Sequence, residues 1–359
     1  MPSESNLSSQ TLPTHLTRWG GRIYAIIGLS VLLVMVAALA TTVGSVKIPF
    51  LMTFQIMLSK LPLFHITPVW PSGIETIILE IRLPRVILAG LVGAALATAG
   101  ATYQGLFRNP LADPYLIGVA QGASLGAVAG FLLPTTWHGF GVEVIPLFAF
   151  VGAIASTAIV YGLARVGKSL PVTTLILAGV ALGALLGSIV SYLIISSGEK
   201  MHGIIFWLMG SFSLSQWSEV KLVLPYVAVG AGVILLYARP LNVMQLDEEQ
   251  AQQLGINVER LKLVLLAAAT LITAAAVSFV GTIGFVGIII PHAVRLIWGA
   301  DYRFLLPLSV LTGAIFLIVA DLVARTAQAP TEIPIGVITA LCGAPFFLYL
   351  LRRRRKVIF

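Results

Sequence analysis

The segment RPLNVMQLDEEQAQQLGINVERLK, Arg239 to Lys262, decides how this chain is read. It is the longest charged interval in a polypeptide that is otherwise almost continuously apolar, so most of what flanks it must be matched to lipid. Locally it predicts a compact pair of helical pieces. Asp247 is placed to N-cap a short helix, and Gln250, three residues on, to return a bond to the backbone. Gly255 ends that helix, and Asn257 caps the next, which runs into the apolar stretch after Lys262. Ala251 and Leu254 share one side of the short helix as an apolar contact, while Glu248 and Glu249 offer charge to a partner's rim. The segment is a polar knob between two membrane helices, either a docking element or a solvated connection.

Outward from the knob, the composition settles the class. Of 359 residues, 58% are hydrophobic and 10% charged, with mean hydropathy +0.99; a soluble domain carries roughly 25% charged residues. The chain is therefore expected to be an all-α polytopic membrane protein. With about 20 apolar residues per crossing, spans are predicted near 23–43, 83–104, 115–133, 144–164, 174–196, 222–238, 262–281, 286–299, 304–325 and 334–351. Fifteen of the 22 Lys and Arg then fall on the side of the knob and seven on the other, which predicts cytosolic N- and C-termini. The expected organisation is a cytosolic tail over 1–22, one transmembrane domain over 23–351 with the knob at about 247–262, and a basic tail over 352–359. The net charge of +8 is thus accounted for by topology and not by nucleic acid. A lone Cys342 excludes a disulfide framework or a Cys-based metal cage. No Walker motif, metal-ligand spacing or nucleophile elbow occurs, so any ATP hydrolysis belongs to another chain.

Three further segments carry chemistry. In RLPR, Arg82 to Arg85, the proline suits a helix start and the two arginines share a face, which predicts two cations pointing outward. In YQGLFRNPLADPYLIGVAQGA, Tyr103 to Ala123, Asn109 and two prolines force a break on the cytosolic side. Beyond Phe279, GFVGIIIPHAVR places His292 and Arg295 in a short span, and ADLVAR places Asp321 and Arg325 one helical turn apart. Ionisable groups at such depth need partners inside the protein, and Arg325 is the expected partner of Asp321. His292 has no second ligand at metal spacing and reads as a structural histidine. Long outward loops are expected at 44–82, with GIETIILEIR lying along the membrane surface, and at 197–221. His65, His138 and His202 fall in outward loops, with Met201 beside His202.

Taken together, RLPR, RNPLADP, LAGVALG, the Leu254-Gly255 knob, GFVGIIIPHAVR, ADLVAR and IPIGVITALCGAP resemble the FecCD family of ABC-importer permeases, in order and at the family's spacing over about residues 75–350. The resemblance implies a type II importer permease of ten helices in the bacterial inner membrane. It implies a homodimer that binds two ABC ATPase subunits from the cytosol and receives cargo from a periplasmic substrate-binding protein. ATP and Mg would sit in the ATPases, with no cofactor held by this chain and no enzyme activity of its own. By position it implies binding-protein docking at Arg82, Arg85 and Arg325, ATPase coupling at Asp247, Glu248, Gln250, Ala251, Leu254 and Gly255, and a cytosolic gate at Asn109, Leu111, Val172 and Thr173. The cargo would be haem or a ferric siderophore, with cobalamin as the alternative; Met201 and His202, as groups able to touch haem iron, lean the reading to haem. An ion-coupled secondary transporter is the rival class, and it would need unpaired intramembrane acids.

Overall fold

The structure is a computed structural model that describes residues 19–358 except 45, 47, 61–66, 68, 69, 134–142 and 168, with backbone alone for 351 and 353–358. His65, His138 and most of the 1–22 tail lie outside the described residues. Among those described, the chain is helical with no named strand. Seven helices are long and apolar enough to cross a membrane. They are α1 (Trp19–Thr42), α4 (Leu83–Leu106), α6 (Val144–Ala164), α7 (Val172–Ser196), α9 (Trp217–Leu236), α12 (Val258–Val280) and α14 (Tyr302–Thr326). Three more coincide with predicted spans: α5 (Val119–Leu132), α13 (Val286–Trp298) and α15 (Ile335–Ile358). The set matches the ten spans expected from hydropathy.

Short helices fill the connections. On one side lie α2 (Phe50–Ser59), α3 (Ser72–Thr76) and α8 (Met201–Leu208); on the other lie α10 (Ala238–Met244) and α11 (Glu248–Gln253). The stretch GIETIILEIR is not a separate surface piece, which corrects the expectation. After α3 it winds as a π-helix over Ile77–Arg82 and enters α4 without a break. Pro84 ends no helix here: the turn before it is π-wound, with the Leu83 N–H on the Ile78 carbonyl, and α4 continues from it.

Hydrogen bonds orient the bundle. Gln245, just past α10, donates to the Gly105 carbonyl at the end of α4 (3.1 Å), and Asn242 donates to Asp301 at the start of α14 (2.7 Å). Arg22 in α1 donates to the Trp298 carbonyl (3.0 Å) on this same face. The start of α15 lies at the opposite face, where Ile335 N–H donates to the Gly210 carbonyl (3.0 Å), so α15 ends on the knob side. The start of α1 and the end of α15 therefore share the knob side, as the charge bias predicts.

The core forms where small residues let backbones meet. A side chain on Gly93 would overlap the Gly313 carbonyl of α14, and one on Gly100 the Gly287 carbonyl of α13. With no hydrophobic drive between helices in lipid, such close van der Waals approach is what holds the bundle. Buried polar groups on α4 reach across to other helices: Tyr103 OH meets Thr270 Oγ1 on α12 (3.1 Å), and the Gln104 amide donates to the Ile288 carbonyl of α13 (3.1 Å).

Candidate functional site

The outer face carries a buried charge cluster. Thr41 and Thr42 end α1, and their carbonyls have no partner within that helix. Arg82 supplies one, donating from Nη1 to the Thr41 carbonyl (3.2 Å) and to that of Thr42, and from Nη2 to that of Val46. Arg325 donates to the Ala40 carbonyl. Two guanidinium groups thus cap the negative end of the α1 dipole from neighbouring helices. Arg85 grips two carboxylates: its Nε lies 3.1 Å from both oxygens of Asp321, Nη2 2.8 Å from Asp321 Oδ1, and Nη1 2.8 Å from Glu332 Oε1. Ser213 donates to the other Glu332 oxygen (2.9 Å). Burial would raise the Glu332 carboxyl, but the Arg85 hydrogen bond and charge and the Ser213 hydroxyl hold it below the usual value.

This corrects two expectations. Arg82, Arg85 and Arg325 are all buried in the chain and do not stand outward as free cations. The physical reason is that orphan helix-end carbonyls and two acids lie within reach, and a guanidinium fork satisfies them better than a membrane surface would. Asp321 is also not simply the partner of Arg325, whose Nε is 3.5 Å away; Arg85 makes the shorter bonds.

On the cytosolic face, the knob forms as capping chemistry predicts. Asp247 accepts from Glu249 N–H (3.2 Å) and Asn257 from Arg260 N–H (3.0 Å). Gly255, at φ +85, closes α11 with its N–H on the Gln252 carbonyl (2.9 Å), while Ile256 N–H reaches Ala251 (3.0 Å). A left-handed residue at this position favours glycine. Among the described residues no bond returns from the Gln250 side chain to Asp247. Ala251 and Leu254 do not form one outward contact: Ala251 is fully buried, and Leu254 is 65% exposed. Leu246, just before α11, is also exposed. Glu248 points back into the protein, accepting from Lys262 Nζ at 2.7 Å.

The proposed gate residues come from two segments on this same face. Asn109 Oδ1 accepts from Leu111 N–H (2.9 Å), which shapes the break after α4 and leaves Leu111 exposed. Val172 and Thr173 open α7, and Phe107 lines a small cleft with Leu170 and Val172, so the two segments meet. Met201 and His202 open α8 on the outer face, both exposed. Glu332 and Lys262 were not singled out from the sequence; the only signals were a glutamate in the EIPIGV motif and a lysine one helical turn inside a span.

Residues 31–353 match the model of the FecCD transport family. The chain is 51% identical over 284 residues to the cobalamin import system permease of Halobacterium salinarum, covering 79% of this chain and 75% of the relative. It is 44% identical to the hemin transport system permease of Yersinia pestis, covering 77% and 84%, and 40% identical to the Fe(3+) dicitrate transport system permease FecD of Escherichia coli, covering 80% and 89%. A solved structure described as an inward-facing conformation of a metal-chelate type ABC transporter superposes with TM-score 0.79 at 31% identity, covering 92% of this chain and 99% of that one. With ten matching helices, a capped knob and these relatives, the chain belongs to the FecCD transport family and is a multi-pass inner-membrane permease of the ABC importer class.

Proposed function

We propose that the chain is the translocation subunit of an ATP-driven importer for a metal-bearing tetrapyrrole, haem or cobalamin. The observation that carries the cargo class is that the cobalamin and hemin permeases, at 51% and 44% identity, both serve macrocycles, whereas the dicitrate permease stands at 40%. ATP and Mg are held by two separate ATPase subunits that seat on the α11 knob through Leu246 and Leu254. A second copy completes the pathway, and Asn109, Leu111, Val172 and Thr173 form its cytosolic gate. A periplasmic binding protein docks on the outer rim, where Arg82, Arg85 and Arg325 act by holding its shape and, at Arg85, by accepting an incoming carboxylate in place of Glu332. Met201 and His202 contact the cargo on entry.

The test is ATP hydrolysis by the importer reconstituted in proteoliposomes with its ATPases and binding protein. Hemin or cyanocobalamin is expected to stimulate hydrolysis and ferric citrate not; the reverse pattern overturns the cargo class. ATP-driven uptake is expected to persist when ionophores collapse the membrane potential and pH gradient, and its loss under those conditions overturns the ATP-driven reading.

A further inference from the structure

Lys262 lies one turn inside α12 and is 5% exposed, yet it faces three acceptors drawn from three different segments. Its Nζ lies 2.7 Å from Glu248 Oε2 on α11, 3.4 Å from Glu259 Oε1 on its own helix and 3.2 Å from the Leu170 carbonyl in the turn before α7. Glu259 uses its other oxygen to accept the Leu170 N–H at 2.9 Å. Both backbone polar groups of Leu170 are therefore held by the same ion cluster that holds the first residue of α11. Lys262 also lines the small cleft where Phe107, Leu170 and Val172 meet.

The helices joined in this way differ in their place in the single chain: in their most apolar stretches α12 has 72% of its residues buried and α7 only 11%. A buried charge-assisted contact is short and directional, so it transmits displacement where an exposed loop would absorb it. On the same reading of the chain as an importer, we infer that Lys262 is the positioning residue through which movement of α11 reaches the start of α7. Movement of Glu248 pulls on the ammonium, the ammonium and Glu259 carry Leu170, and Leu170 carries Val172 and Thr173 at the head of α7.

The experiment uses the full importer with Cys342→Ser and a spin label at Thr173→Cys, reading the distance between the two copies before and after trapping with ATP and vanadate. The wild-type network is expected to show a nucleotide-dependent shift. Lys262→Met is expected to abolish the shift while the ATPases still copurify at the wild-type ratio, because the two carboxylates it leaves behind are partly exposed to water. Lys262→Arg is expected to restore it, which a purely space-filling role would not require. Glu248→Gln cuts only the α11 end, keeps the α7 end paired, and should also lose the shift, so it carries the test should Lys262→Met fold poorly. An undiminished shift in Lys262→Met or Glu248→Gln overturns the link alone. A wild-type complex that binds no ATPase, or shows no shift with nucleotide, overturns the importer reading and the link with it.

Discussion

Asp321 shows what a buried acid in a membrane helix requires. It accepts from Arg85, 236 residues away in sequence, and lies 3.5 Å from Arg325 on its own helix. Asp321→Asn leaves two buried guanidinium groups short of a counter-charge and is expected to cost on the order of 3–5 kcal/mol. Combining it with Arg85→Gln should recover more folded yield and thermal stability in detergent than combining it with Arg325→Gln. Equal recovery by the two pairs would show that Arg325 shares the charge evenly. The partner Glu332 adds a pH dependence of definite sign. Its folded carboxyl titrates below the ordinary value, so the stability it adds is present above that value and is lost only as acid takes it through the lowered one. The spacing of Asp321 and Arg325 was visible in one dimension because a helical turn relates them. Arg85 was not, since nothing along the chain announces a tertiary pair, and the same blindness made the arginines of RLPR look like free outward cations.

Element α11 and the start of α12 were legible almost to the residue, because they are written in capping chemistry: Asp247 and Gly255 bound α11, and Asn257 caps α12. The faces of α11 were not, since six residues are too few for a helical period to separate inside from outside. The structure therefore changes what a mutation should report. Leu254→Asp is expected to leave the permease folded while the ATPase subunits no longer copurify, whereas Ala251→Asp, placing a carboxylate in the core, should lower the folded yield itself. ATPase copurifying with Leu254→Asp at the wild-type ratio would remove Leu254 from the docking surface. The GIETIILEIR stretch shows the opposite failure: its amphipathic look suggested a surface helix, but with no breaker between Thr76 and Arg82 the chain winds on through a π-helix into α4.

For the molecule as a whole, each of the ten spans expected from hydropathy coincides with a helix among the described residues, seven of them long enough to cross, and charge bias gave their orientation, because both depend on the bilayer and not on the packing. The short helices α2 and α8 were read as loops, being too short to leave a hydrophobic signal of membrane length. How the spans pack is carried by glycines such as Gly93 and Gly100, whose partners in α14 and α13 the sequence does not name. The most loosely packed span is α1, with 6% of its apolar stretch buried, and it is held at its two ends. Arg82 reaches its outer end from 40 and 41 residues away, but its inner end waits for Trp298 and its outer end also for Arg325, 285 residues beyond Ala40. An element made before the other described helices is therefore among the last to be locked, and biogenesis must tolerate a lipid-bathed α1 while most of the chain is still being made. Arrested nascent chains that end before Trp298 should show α1 crosslinking to lipid along its inner half, with contacts to α14 appearing only in longer chains; a fixed inner contact in the shorter chains would reverse that order of assembly.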